Sequence, residues 1–134
     1  MTVYFLYGEE DYNIDLELDL MKSELNQDFL AMNYQVYDNP DYATLSSALR
    51  TPPMMFGDML LVINADKYFL SNKNFFEDSE LEDIEDAINN CPQSLNIVFA
   101  VKLPRGENKK LDSRRKLYKI LSKTNVKEFA VFKN

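Results

Sequence analysis

The chain has 134 residues, 46% of them hydrophobic and 28% charged, the proportions of one soluble globular domain rather than of two domains or a disordered tail. It holds 22 acidic and 15 basic residues for a net charge of -7, with no histidine, no tryptophan and a single cysteine, Cys91. These counts exclude a Ser-His-Asp or Cys-His nucleophile, leave zinc without a ligand set and rule out an intramolecular disulfide framework.

Met1-Thr2-Val3-Tyr4-Phe5 lacks the basic flank and long apolar core of an export signal, and a lone thiol suits a reducing compartment. The longest fully apolar run, Met59 to Ile63, is far short of the roughly 18 residues that a membrane-spanning helix needs. The expectation is a cytoplasmic protein with no membrane contact. The first strand is expected over Val3 to Tyr7, stopped at Gly8. An acidic Glu9-Glu10-Asp11 follows, then a helical stripe at Ile14, Leu18, Met21 and Leu25, broadened by Leu16 and Leu20. Acids in the first turn complement the positive end of the helix dipole.

Tyr34 to Tyr37 reads as a second strand, and Asn39-Pro40-Asp41 as a turn into a helix through Leu45, Ala48 and Leu49. Thr51-Pro52-Pro53 ends that helix, because proline donates no backbone hydrogen bond and restricts the residue before it. Leu60 to Ile63 forms a third strand, apolar on both faces as an inner parallel strand should be. A helix is expected from Ser79 to Asn90 with Leu81, Ile84 and Ile88 inward, and Cys91 before Pro92 marks its end. Leu95 to Val101 makes the fourth strand. Lys109 to Lys123 reads as a basic helix burying Leu111, Leu117, Tyr118, Ile120 and Leu121, and Val126 to Phe132 as the fifth strand. Residues 1–134 thus form a single α/β domain, a five-stranded, mostly parallel sheet flanked by helices.

Charge is unevenly divided. From Lys102 to Asn134 there are eleven bases and three acids, and before Lys102 only four bases against 19 acids. Two readings are open: a basic face that attracts nucleic acid or an acidic partner, or two ends that pack together and neutralise each other. At the first turn, Gly8-Glu9-Glu10-Asp11-Tyr12 stands where a P-loop cradles phosphate, but lacks the second Gly and the Lys-Ser/Thr pair. Glu9, Glu10, Asp11 and Asp15 would repel a nucleotide there. Asp11, Asp38, Asp66 and Lys102 fall at strand ends, a faint resemblance to a phosphoacceptor receiver domain with Asp66 or Asp38 as acceptor. Helix capping accounts for the same carboxylates, and no catalytic or metal-binding residue is assigned. Pro52-Pro53-Met54-Met55-Phe56-Gly57-Asp58 places three large apolar side chains on a connection, which makes them either a hydrophobic prong for a partner or a plug at the end of the core.

Val3 to Tyr12, Leu49 to Asp58, Lys110-Leu111-Asp112 and Arg115 to Lys119 together resemble the amino-terminal domain of the delta subunit of bacterial DNA polymerase III, the clamp-loader subunit. The resemblance implies a non-catalytic AAA+-like domain with a degenerate nucleotide loop at Gly8, Glu9, Glu10 and Asp11, and no cofactor. It implies that Met55 and Phe56, with Met54 beside them, insert into a pocket of the sliding clamp, Met standing where the family has Leu. The expected partners are the clamp, the other clamp-loader subunits and primer-template DNA through the assembled complex. Lys109, Lys110, Arg114, Lys116 and Lys119 are a second candidate contact, toward DNA or an acidic partner surface.

Overall fold

The computed structural model describes residues 2–50, 57–70, 75–90, 94–104, 111 and 115–129. In chain order the elements are β1 (Thr2–Gly8), α1 (Asp11–Ser23), α2 (Leu30–Asn33), β2 (Tyr34–Asp38), α3 (Tyr42–Leu49), β3 (Met59–Asn64), α4 (Asp66–Leu70), α5 (Asp78–Asn89), β4 (Leu95–Lys102), α6 (Lys116–Leu121) and β5 (Asn125–Phe129). A 3-10 turn at Gln27–Phe29 precedes α2. The strands pair in the order β2-β3-β4-β1-β5, and every pairing is parallel. The expected α/β architecture is therefore observed. The order also excludes the receiver reading, because a receiver has the flavodoxin-like order 2-1-3-4-5, whereas here β1 lies between β4 and β5.

Alternate residues of the inner strands feed two cores. Phe5, Leu61, Ile63, Ile97, Phe99 and Val101 face the layer of α3, α4, α5 and α6, while Leu6, Leu60, Val62, Val98 and Ala100 face α1 and Leu25. Ile97, Val98 and Phe99 of β4 are completely buried. Burying each contributes roughly 1.5–3 kcal/mol, so β4 and the strands beside it anchor the fold. No helix of the described residues is long and apolar enough to cross a membrane.

Local chemistry sets most of the boundaries. Asp41 caps α3 by accepting the Thr44 N–H at 2.9 Å, and α3 stops at Leu49, just ahead of the proline pair. Glu80 reaches back to the Glu77 N–H at 2.9 Å to start α5. Leu81, Ile84 and Ile88 are buried as their spacing predicts.

The structure corrects three expectations. Ile14 is fully buried and Leu18 and Met21 pack against the core, but Leu16 and Leu20 point to solvent at 45% and 55% exposure. The basic helix is also shorter: Leu111 is not helical, Arg115 is extended with ψ 138°, and α6 begins only at Lys116. Its inward residues Leu117, Ile120 and Leu121 are buried as expected. Finally, α2, α4 and the 3-10 turn occupy stretches for which the sequence suggested no element.

Candidate functional site

Because all strands run the same way, their carboxyl ends line one edge, carrying Gly8, Asp38, Asn64, Lys102 and Phe129. This is the edge where open α/β sheets place ligands. Gly8 has φ +148°, and a Cβ on it would stand 2.0 Å from the carbonyl oxygen of Phe129. The Gly8 carbonyl accepts the Leu103 N–H at 2.9 Å. Beyond it, the Glu10 N–H donates to the Phe129 carbonyl at 3.2 Å and the Asp11 N–H to the Glu9 carbonyl at 3.1 Å. Phosphate cradles are built from amides turned toward the ligand, and these two are spent on the chain itself. A lysine does reach this loop, but the Lys102 ammonium sits 2.7 Å from Asp15 Oδ1.

Asp66 stands at the same edge, half-buried, with Oδ1 accepting the Lys102 N–H at 2.8 Å. Burial pushes its carboxyl above the usual range; the Lys102 N–H and ammonium oppose that, and Asp11 and Asp38 reinforce it. A raised carboxyl pKa means that the ionised form is disfavoured by folding, so its penalty is present at neutral pH and disappears as pH falls below the unfolded value. Asp66→Asn keeps the acceptor and removes the charge. It is expected to raise the urea midpoint at pH 7, with the gain shrinking toward pH 4; a lower midpoint at pH 7 would contradict this account. No group of three or more acidic or cysteine side chains among the described residues is arranged to hold a metal ion.

The opposite edge carries the other candidate. Arg50, which closes α3, grips Asp83 of α5 with two nitrogens, Nη2 to Oδ1 at 2.7 Å and Nη1 to Oδ2 at 3.3 Å. Asp83 Oδ2 also accepts the Tyr42 hydroxyl at 2.6 Å and the Ser46 hydroxyl at 3.1 Å. These hydrogen bonds hold the Asp83 carboxyl below its ordinary range. The planar guanidinium fork fixes direction as well as distance, so the end of α3 is set against α5. Met54, Met55 and Phe56, six or fewer residues further on, lie outside the described residues. Their described flanks, Arg50, Gly57 and Asp58, are exposed. Sequence reading missed the tether because its partners are 33 residues apart and each resembles an ordinary surface charge.

Residues 4–130 match the family model for the delta subunit of DNA polymerase III. The chain belongs to the DNA polymerase III delta-subunit family. Its fold is similar to that of the Bacillus subtilis DNA clamp loader delta protein (YqeN), with a TM-score of 0.78 at 20% sequence identity. The likeness covers 97% of this chain and 38% of that protein, so the chain spans well under half the length of that structure. No curated protein matches the chain.

In this delta-family chain the uneven charge is partly resolved by packing. Lys102 pairs with Asp15, Lys116 with Glu82 at 3.5 Å, Lys123 with Glu85 at 3.6 Å and Lys127 with Glu17 at 3.5 Å. Each joins the basic end to the acidic remainder, as the neutralising reading expects. Such exposed pairs contribute about 0–1 kcal/mol each and remain open to exchange for a ligand anion. Of the basic candidates, Lys116 and Lys119 lie on α6, while Lys109, Lys110 and Arg114 fall outside the described residues.

Proposed function

We propose that this chain is the amino-terminal domain of a clamp-loader delta subunit, acting in cytoplasmic DNA replication as a non-catalytic module that binds the sliding clamp and helps open it. The observation that carries the reading is the delta-family match across residues 4–130, which spans the whole Leu49 to Asp58 segment. Met55 and Phe56, assisted by Met54, are the clamp-inserting residues, and the Arg50–Asp83 tether gives the segment a fixed point of departure. Arg50 and Gly57, which flank the segment in sequence, are exposed, which supports a partner contact at this end of the domain.

The domain acts as part of the polymerase III holoenzyme, with the clamp and the other loader subunits as partners and primer-template DNA met through the assembly. The carboxyl edge supports an AAA+-like loop, Gly8 to Asp11, that has given up nucleotide binding: its Glu10 and Asp11 amides are bonded to carbonyls of the chain and its carboxylates repel phosphate. Lys109, Lys110, Arg114, Lys116 and Lys119 contact DNA or an acidic partner surface at this stage of assembly. Calorimetric titration of the chain into a ring-shaped bacterial clamp tests the reading. A saturable heat with one chain per clamp site is expected, unaffected by ATP; no heat and no co-elution with the clamp would overturn it.

A further inference from the structure

Between α4, α5 and α6 lies a cavity of about 330 Å³ whose lining includes Tyr68, Phe75, Phe76, Asp78, Arg115 and Lys116. That volume is at the lower end of the range for small-ligand pockets and exceeds what one nucleobase needs. Tyr68 and Phe76 are buried with ring centroids 4.7 Å apart, and Phe75 packs against both, its centroid 4.6 Å from Tyr68 and 4.9 Å from Phe76. Phe75 itself is 40% exposed, so a backed, oriented aromatic surface is presented to solvent. Cations stand beside it. Arg115 is anchored by donating from Nη1 to the Tyr68 carbonyl at 3.0 Å, and among the described residues Lys116 makes a loose 3.5 Å contact with exposed Glu82.

From this juxtaposition we infer that the Tyr68–Phe75–Arg115–Lys116 cavity is a binding site for single-stranded nucleic acid. A base stacks on Phe75, Arg115 and Lys116 meet the flanking phosphates, and the Asp78 carboxylate accepts from the N–H edge of the base. Stacking on a fixed aromatic is tolerant of sequence, and phosphate contacts supply a salt-dependent attraction. Duplex DNA hides its base faces and cannot use Phe75. The inference rests on the DNA-contact reading of Lys116 but adds the ring and the strand type, and it is independent of the clamp.

The test is fluorescence anisotropy of a labelled deoxythymidine 12-mer with the 134-residue chain at 50 mM and 200 mM salt, alongside a 12-base-pair duplex. The single strand is expected to bind more tightly than the duplex and to weaken with salt. Phe75→Ala is expected to weaken single-strand binding about tenfold, Phe75→Trp to preserve it, and Lys116→Gln to weaken it and flatten the salt dependence. Circular dichroism of each variant should match the parent. An undiminished affinity in Phe75→Ala overturns the inference, as does failure of the parent chain to bind at 50 mM salt. Duplex binding equal to that of the single strand, lost in Lys116→Gln but not in Phe75→Ala, also overturns it while leaving the DNA-contact reading of Lys116 intact.

Discussion

Met55→Ala combined with Phe56→Ala is expected to abolish binding to the sliding clamp while leaving the unfolding midpoint of the chain unchanged. Burying a methionine or phenylalanine side chain contributes about 1.5–3 kcal/mol, so truncating both removes about 3–6 kcal/mol. At about 1.4 kcal/mol per decade this is a loss of two to four orders of magnitude in Kd, beyond the reach of calorimetry for a complex of ordinary strength. The two readings of Met54-Met55-Phe56 diverge at this point. A prong contributes to the complex and not to the fold, whereas a plug at the end of the core would lower stability by about 2–5 kcal/mol for each residue truncated. Urea unfolding of the same variant therefore decides between them. A falling midpoint with clamp affinity retained would return these residues to the core.

The second large effect is expected at Gly8. A Cβ there would stand 2.0, 2.6 and 2.8 Å from the carbonyl oxygen, carbonyl carbon and nitrogen of Phe129. All three are backbone atoms, so no side chain can swing aside, and φ +148° is itself a conformation that an L-residue resists. The backbone strain costs of order 1–3 kcal/mol and the overpacking about as much again. β5 must yield, because it pairs with β1 alone and four of its five residues are exposed, leaving little apolar burial to hold it. Gly8→Ala is expected to lower stability by about 2–6 kcal/mol, a large share of the roughly 5–15 kcal/mol typical of a domain. Amide exchange should accelerate first at residues 125–129. A loss below about 1 kcal/mol with β5 protection intact would show that the β1–β5 pair accommodates a Cβ at Gly8 and would overturn this account.

What the chain revealed before folding follows from how far each signal reaches. Elements with a full period or a run of branched apolar residues are legible: Leu81, Ile84 and Ile88 mark α5, and Leu60 to Ile63 mark β3. α4 is not, since five residues carry little more than one turn of pattern and its start is secured from afar, by Asn39 Oδ1 accepting the Lys67 N–H at 2.9 Å. Leu16 and Leu20 show the opposite failure. Their spacing is helical, but one sheet face accommodates only the Ile14 side of α1, and periodicity cannot say which flank of a broad stripe meets it. The basic run from Lys109 looked helical because lysine and arginine favour helices, yet Arg115 is extended and directs its guanidinium to the Tyr68 carbonyl.

The candidate sites divide in the same way. The acidic loop at Gly8 to Asp11 and the apolar Met54-Met55-Phe56 are contiguous and could be picked out by eye. Arg50 with Asp83, and Phe75 with Arg115 and Lys116, come from segments tens of residues apart, and only the packing of α3, α4, α5 and α6 brings them together.

The hydrogen bond from the Glu10 amide to the Phe129 carbonyl reaches beyond the loop it closes. For the Glu10 amide to turn toward any other acceptor this bond to the edge strand must first break, so the loop after β1 and the end of β5 are expected to open together as one unit.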